Sequence, residues 1–197
     1  MALAPRQTLI PAPYVALPSQ EWDGNDGSWS TFAINVGSPG QDFRVLISTS
    51  GSAAFVPVPE GCSPTDPANC ASLRGVQSLN GASSPGFQTN RSSTWTAIGL
   101  YSLDLEARLN YSGNGLYGYD RLGLGTAQGT KGPSLDRQVV AGIADKDYFM
   151  GILGLGVQPS SFSSASEPIP SFLRSLRDQS SIPSLSFGYT AGAPYRE

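Results

Sequence analysis

Short runs of alternating apolar and polar residues, separated by turn formers, are the feature that most limits the fold of this chain. In the segment SLDLEARL (102–109), three leucines and an alanine alternate with Asp104, Glu106 and Arg108. A period of two is typical of a strand with one buried face. The 197 residues include 23 Gly and 16 Pro, too many turn formers for a helical bundle, while 39% are hydrophobic, too many for a disordered chain. We therefore predict an all-β protein.

Other segments extend this pattern. STFAINV (30–36) and DFRVLIS (42–48) flank the turn sequence GSPG, which predicts a β-hairpin. Apolar spacing in IPSFLRSLRDQ (169–179) predicts one helix, with Pro168 and Pro170 in its first turn. A long polar loop is expected over 60–91. The remaining predicted strands are AAFVPVP (53–59), the hairpin 102–124, QVVAGIAD (138–145) and LSFGY (185–189).

The absence of histidine excludes several kinds of site. Without it there is no Ser-His-Asp triad, no Cys-His dyad and no His-ligated zinc. The net charge of −3 and the lack of a basic cluster argue against nucleic-acid binding. No stretch approaches 18 uninterrupted apolar residues, so we expect no membrane-spanning segment. We predict no metal and no cofactor.

The two cysteines suggest the compartment. Cys62 and Cys70 lie eight residues apart in CSPTDPANC, where a local disulfide across a turn is favoured over two free thiols. A disulfide indicates an oxidising compartment. Two N-glycosylation sequons, at Asn90 and Asn110, agree with this assignment. We therefore expect the protein to be secreted or to face the outside of the cell surface.

Six segments, in order, resemble the N-terminal lobe of the pepsin-like aspartic proteases. They are VGSPGQDF (36–43), VLISTSGSAAFVP (45–57), FQTNRSSTW (87–95), GLYGYDRLGLG (115–125), FMGILGLG (149–156) and IPSFLRSLRDQSSIPSLSFGY (169–189). The resemblance is to fungal-type extracellular homologues. It implies a bent, mostly antiparallel β-sandwich with one or two short helices. On this basis 1–28 is an extended arm, 29–190 the lobe, and 191–197 a truncated linker toward a missing second lobe.

The resemblance fails at the residue on which the chemistry depends. In that family each lobe supplies one aspartate from an Asp-Thr-Gly turn, and the two carboxylates share a proton. Here the aligned residues are Ser48, Thr49, Ser50 and Gly51, and slipping the alignment by one residue places Thr49 at the aspartate position. Neither register supplies a carboxylate, and a serine hydroxyl has no histidine to activate it.

Two other carboxylates offer no replacement. Asp42 is expected at the surface, on the edge of the first hairpin. Asp120, in GYD, matches a position outside the family's catalytic pair and is expected to be a solvated or turn carboxylate. The sequence therefore predicts no catalytic residue.

The flap that covers the substrate in that family is also altered. Tyr111, Ser112 and Gly113 are the candidates for its tip, although Tyr111 matches the flap tyrosine only if a gap is allowed. The alternative is a turn tyrosine beside a glycan on Asn110. Phe55 stands where the family has the tryptophan that partners the flap tyrosine. Phe55, Tyr111, Ser112 and Gly113 are thus the candidate cleft residues.

These observations predict an inactive aspartic-protease-like lobe with a binding role at the extracellular surface. Two alternatives remain open: part of an active aspartic endopeptidase, and a structural or adhesive surface domain. The expected partners are a second pepsin-like lobe and a peptide or protein ligand. We also expect a weak homodimer, because two segments would expose apolar side chains to water. These are Leu9, Ile10, Tyr14, Val15 and Leu17 in the arm, and Leu185, Phe187 and Tyr189 near the end.

Overall fold

The computed structural model describes residues 10–25, 27–103, 113–129, 131–162 and 168–190, and strands dominate it. The described strands are β1 (Pro18–Asp23), β2 (Trp29–Val36), β3 (Gln41–Ser48), β4 (Ala54–Pro57), β5 (Thr96–Ser102), β6 (Asn114–Gly125), β7 (Lys131–Ile143) and β8 (Gly151–Gly154). The described helices are α1 (Cys70–Leu73), α2 (Phe172–Asp178) and two 3-10 turns at Pro59–Gly61 and Thr89–Arg91. The predicted all-β class is confirmed.

The sheet bends back on itself. Its strand order is β1-β2-β3-β8-β4-β7-β6-β5, and β2 pairs in addition with β6, where Ile34 lies opposite Leu124. Apolar side chains from both parts of the bent sheet fill the space between them, among them Ile34, Val45 and Leu122, each fully buried. The bent architecture expected for a pepsin-like lobe is therefore present.

The first predicted hairpin is confirmed in register. β2 and β3 pair antiparallel from Phe32 opposite Val45 to Val36 opposite Gln41. Phe43 and Val45 are buried while Arg44 between them is half-buried, as a period of two requires. Gly37 begins the turn with φ of +89°, a conformation that side chains other than glycine rarely adopt.

Strand β8 lies between β3 and β4 and fixes the position of the end of β3. It runs parallel to β3, with Ser48 opposite Gly154, and antiparallel to β4, with Ala54 opposite Leu153. Parallel neighbours end at the same edge of a sheet. The turn that follows Ser48 therefore lies against the glycine-rich segment that follows β8.

The cysteines form the predicted disulfide, and a buried arginine lies near it in the chain. Cys62 and Cys70 are bonded, with their Cα atoms 6.0 Å apart. The 60–91 region, expected to be a loop, contains α1, the 3-10 turn Thr89–Arg91 and most of the 3-10 turn Pro59–Gly61. Directly after α1, Arg74 is 1% exposed, and its guanidinium donates hydrogen bonds to five backbone carbonyl oxygens.

The helix prediction was right in place and wrong in its first turn. α2 begins at Phe172, and Ser171 is its N-cap, whose Oγ accepts a hydrogen bond from the N–H of Arg174 at 3.2 Å. Pro168 and Pro170 therefore precede the helix. A serine at the N-cap satisfies an N–H group of the first turn, which explains why the helix begins there.

The predicted strand LSFGY (185–189) has no strand partner in the part of the chain that the structure describes, and it is irregular; the Tyr189 ring packs 6.0 Å from that of Phe32. Within the expected arm, Pro18–Asp23 is paired as β1 with β2, and Asp23 binds Arg44 at 2.7 Å. The strand predicted over 102–109 lies outside the described residues, apart from Ser102, which ends β5, and Leu103. Among the described helices, none is long and apolar enough to cross a membrane.

Candidate functional site

The turn that follows β3 is the candidate site. Ser48 is half-buried, Thr49 and Ser50 are exposed, and Gly51 is buried. The hydroxyl oxygen of Ser48 accepts long hydrogen bonds, 3.4 Å each, from the N–H groups of Ser50 and Gly51. It also lies 3.2 Å from the Ser50 hydroxyl. The Ser48 side chain thus points back into its own turn, where two backbone donors face it.

Backbone hydrogen bonds from the glycine-rich segment that follows β8 hold this turn in place. The carbonyl oxygen of Ser48 accepts a hydrogen bond from the N–H of Leu155 at 2.8 Å, and that of Gly51 accepts one from Gly156 at 2.8 Å. A Cβ atom on Gly154 would lie 2.5 Å from the Gly51 oxygen, which is closer than any side chain tolerates. The glycines of FMGILGLG therefore permit the close approach that fixes the turn.

The chemistry available at this turn is hydrogen bonding. Ser48, Thr49 and Ser50 provide hydroxyl groups that donate and accept, and none of them is ionised near neutral pH. Within the part of the chain that the structure describes, no cluster of three or more His, Cys, Asp or Glu side chains could hold a metal ion. The turn can therefore recognise a polar or peptide group, but as it stands it offers no general base.

Asp42 is not the surface residue that the sequence predicts. Its side chain is half-buried, and Oδ1 accepts a hydrogen bond from the N–H of Ala127 at 2.8 Å. Burial raises the pKa of this carboxyl, against the lowering effect of the Ala127 bond. The prediction was wrong because the residues that follow β6 fold over the start of β3. Asp42 lies six residues before Ser48 on one strand, about 20 Å along it.

Asp120 is not solvated either, and that prediction was also wrong. It is fully buried, and its Oδ1 accepts hydrogen bonds from the hydroxyls of Ser92, at 3.0 Å, and Thr94, at 2.5 Å. The N–H of Arg121 donates a third, at 2.8 Å. The hydroxyl partners lie 28 and 26 residues away in sequence, so no local signal could reveal them. Asp120 serves to hold the 92–94 segment against β6.

Phe55 lies in an aromatic cluster rather than in an open cleft. Its side chain is buried and meets the ring of Tyr117 edge to face at 6.3 Å. Tyr117 stacks on Phe162 at 4.4 Å, and Tyr101 contacts both rings. Sequence reasoning missed this cluster. Alternation in β6 could have indicated that Tyr117 faces inward, but nothing local marks Phe162.

The flap candidates are described only in part. Tyr111 and Ser112 lie outside the described residues. Gly113 is half-buried, and its carbonyl oxygen accepts a hydrogen bond from the N–H of Leu103 at 2.9 Å. A Cβ on Gly113 would lie 2.5 Å from a carboxylate oxygen of Asp145, so a larger residue would displace that side chain. Leu103 and Gly113 thus face each other across the base of this hairpin.

A comparison with protein families agrees with this geometry. The family model described as eukaryotic aspartyl protease matches residues 31–192. The chain belongs to this family. No individual curated protein matches it. The matched region of this aspartyl protease family member begins in β2, contains the turn after β3 and extends past α2.

This aspartyl-protease-like lobe also has an apolar cavity. Its volume is about 720 Å³, and it lies between residues 13–18, residues 182–190, α2 and the sheet. Several of its lining side chains remain exposed, including Val15 (75%) and Leu17 (68%) on one side and Phe187 and Tyr189 on the other. These belong to the two segments that the sequence predicts to be apolar and facing water.

The two polar residues of the first sequon, Asn90 and Ser92, differ in exposure. Asn90 is exposed, in the 3-10 turn Thr89–Arg91, whereas Ser92 is only 8% exposed. The second candidate, Asn110, lies outside the described residues. Asn90 is therefore the glycosylation candidate whose surroundings can be assessed.

Proposed function

We propose that this chain is a catalytically inactive aspartic-protease-like lobe whose role is to bind a peptide or protein ligand at the extracellular surface. One observation carries the proposal. At the end of β3, where the family's Asp-Thr-Gly turn supplies a carboxylate, Ser48 supplies a hydroxyl that accepts hydrogen bonds from Ser50 and Gly51. A hydroxyl in that place cannot take up a proton from water as an aspartate does.

Neither of the carboxylates considered from sequence compensates for this replacement. Asp42 already accepts a hydrogen bond from Ala127 and lies about 20 Å along its strand from Ser48. Asp120 is fully buried, and three donors hold its Oδ1 in place. Peptide hydrolysis at this turn would therefore need a carboxylate that neither residue can provide.

A binding role is consistent with what remains. The exposed hydroxyls of Thr49 and Ser50 can donate to, and accept from, the backbone of an extended peptide. The disulfide between Cys62 and Cys70 favours an oxidising compartment, and the exposed Asn90 of a sequon favours the same location. The specificity of binding would then come from the side chains around the turn rather than from a catalysed reaction.

We propose in addition that a second pepsin-like lobe packs over the apolar cavity. Apolar side chains from two separate segments border it, and such patches usually mark an interaction surface. Without that lobe, a second copy of this chain would cover the same side chains less completely. The result would be a weak homodimer.

The test combines an activity assay with a binding map. Purified protein is incubated with denatured protein substrate from acid to neutral pH, with and without a pepstatin-type inhibitor, and we expect no inhibitor-sensitive cleavage. A pool of unstructured peptides is then titrated into isotope-labelled protein. We expect NMR shifts concentrated at Ser48–Gly51.

A matched pair of variants completes the design. Thr49→Arg places a long cation on the turn and should weaken peptide binding about tenfold, equivalent to roughly 1.4 kcal/mol. Thr65→Arg makes the same change at an exposed site in the disulfide loop and should leave binding unchanged. Inhibitor-sensitive cleavage would contradict the inactive assignment. Shifts spread evenly over the surface, with both variants alike, would favour a structural or adhesive domain.

A further inference from the structure

We propose that Asn90 carries an N-linked glycan, and that folding of the lobe closes this site by burying the hydroxyl of Ser92. The proposal rests on the extracellular location proposed above. Closure of the site by folding can be tested on purified protein, independently of that location.

The acceptor side chain is accessible. Asn90 lies in the 3-10 turn Thr89–Arg91, is exposed, and is followed by Arg91, also exposed. An Asn in the sequence Asn-X-Ser is the acceptor for N-glycosylation. A bulky glycan on Asn90 would extend into solvent without displacing a buried side chain.

The hydroxyl that completes the acceptor sequence is not accessible. The Ser92 hydroxyl donates to Asp120 Oδ1 at 3.0 Å, and its oxygen accepts from the N–H of Ser38 at 3.1 Å. It also lies 3.2 Å from the hydroxyl of Thr94. Its donor and an acceptor site are thus in use inside the protein, and a transferase that must read this hydroxyl cannot reach it.

The segment is also held firmly on both sides of the sequon. Before it, Gln88 and the buried Gln41 exchange two hydrogen bonds, at 2.8 and 3.0 Å. After it, the ring of Trp95 packs on Phe87 edge to face at 5.4 Å. Because both ends are anchored, local opening around Ser92 has to break tertiary contacts as well as its own hydrogen bonds.

The order of these residues in the chain sets when the site is open. Asp120 lies 28 residues after Ser92, so its hydrogen bond cannot form until β6 has been synthesised and paired. Until then the sequon is free. We infer that the glycan is added to the growing or unfolded chain, and that the folded lobe is no longer a substrate.

The covalent step is ordinary N-glycosyl transfer. The side-chain amide nitrogen of Asn90 forms a bond to the anomeric carbon of a lipid-diphosphate-linked oligosaccharide. The bond from that carbon to the diphosphate oxygen breaks, the lipid diphosphate leaves, and the amide loses one proton. No oxidant or reductant is needed.

The first experiment locates the glycan. An Asn110→Gln form of the chain is produced in a eukaryotic secretory host, so that any signal comes from the sequon at Asn90. Release with peptide N-glycosidase in heavy-oxygen water should convert residue 90 to labelled Asp, detected by peptide mass spectrometry. Asn90→Gln should abolish the label, and Ser93→Ala, which alters the adjacent hydroxyl outside the sequon, should retain it. An unlabelled Asn90 in secreted protein would overturn the proposed glycan.

The second experiment tests closure by folding. Unglycosylated chain, either folded with its disulfide intact or reduced and unfolded, is given to purified oligosaccharyltransferase with its lipid-linked donor. We expect Asn90 to be modified in the unfolded chain and to be unmodified in the folded chain after the same time. Asp120→Ala removes the carboxylate to which the Ser92 hydroxyl donates and should make folded protein a better acceptor. Equal modification of folded and unfolded wild-type chain would overturn the proposed closure, whatever the variant does.

Discussion

The guanidinium of Arg74 donates a hydrogen bond from Nη2 to the backbone oxygen of Tyr148, 74 residues later in the chain, at 3.0 Å. The same group binds the carbonyls of Phe149 at 2.8 Å and Asp145 at 2.8 Å. Burial lowers the pKa of Arg74, with the charge of Asp145 acting in the opposite direction. One side chain thus fixes the loop that leads into β8, and β8 fixes the turn at Ser48.

Replacing Arg74 should therefore destabilise the lobe severely. Arg74→Met leaves several buried carbonyl oxygens without a donor, each costing about 1–3 kcal/mol. We expect the free energy of unfolding to fall by at least about 3 kcal/mol, measured by urea denaturation. Arg177→Met, at an exposed arginine of α2, is the control and should change it by less than about 0.5 kcal/mol. Equal effects of the two variants would contradict the role assigned to Arg74.

The disulfide makes a second, separate contribution to the free energy of unfolding. Replacing Cys62 and Cys70 together with serine should lower the free energy of unfolding by about 2–3 kcal/mol, because the unfolded chain then gains the freedom of an open loop. Thermal unfolding of the wild-type and double-serine proteins measures the difference. Reductant should shift the wild type toward the variant and leave the variant unchanged. A variant as stable as wild type would show that the loop is held by its other contacts.

Two carboxylates should give stability effects of opposite sign as the pH changes. The Lys146 ammonium and the Ser63 donors lower the pKa of Asp66 from 3.8 to about 2, so its ionised form favours the folded state. That contribution is present above about pH 3.8 and is lost as the pH falls toward 2. Asp66→Asn should therefore be less stable than wild type near neutral pH, and the gap should narrow in acid.

Asp42 should behave in the opposite way. Burial raises its pKa above 3.8, so its protonated form favours the folded state, and stability is lost as the pH rises through the raised value. In Asp42→Asn the amide oxygen can still accept from Ala127, and no charge is buried. This variant should gain stability relative to wild type as the pH rises above about 4. Denaturation curves of both variants and the wild type from pH 2 to pH 7 measure how each difference in stability changes with pH. If the differences for Asp66→Asn and Asp42→Asn changed in the same direction, the opposite roles assigned to the two carboxylates would be contradicted.

Much of the fold could be predicted because its signals are local. The period of two in β2 and β3, the turn between them and the spacing of α2 each involve a few neighbouring residues, and all appear in the structure. The first turn of α2 was misjudged because Ser171 competes with the prolines for the boundary. LSFGY has the composition of a strand, but a strand also needs a partner, and composition says nothing about partners.

The carboxylates could not be placed because their environments are made by distant residues. Asp42 is covered by Ala127, which lies 85 residues later, and Asp120 is held by Ser92 and Thr94. The same reason applies to the cluster around Phe55, which needs Phe162 from another part of the chain. The Ser48 turn was predictable only because its sequence neighbours match a known pattern.

Restoring an aspartate at the turn should not restore hydrolysis by this chain alone. Ser48→Asp would place a carboxylate facing the N–H groups of Ser50 and Gly51, which would stabilise its charge. The family's reaction needs a second aspartate to share the proton, and Asp120 is buried elsewhere. We expect no cleavage of denatured protein from pH 2 to pH 7 by either the variant or a Ser48→Ala control. Cleavage by Ser48→Asp alone would reveal a second carboxylate at the turn.

The apolar cavity should make the lobe associate with itself at high concentration. Val15 and Leu17 are largely exposed at its border, and burying such side chains gains about 25 cal/mol per Å² of apolar surface. Changing both to serine should raise the dimer dissociation constant about tenfold or more, since each loses part of a transfer free energy of about 1.5–3 kcal/mol. Leu100→Ser removes an equally exposed leucine from the edge strand β5, away from the cavity, and should leave association unchanged. Light scattering over a concentration series measures the constant, and an apolar-surface dye reports the uncovered cavity. A wild-type chain that remains monomeric and binds no dye would show that this surface needs no partner, and the proposed packing of a second lobe there would be wrong.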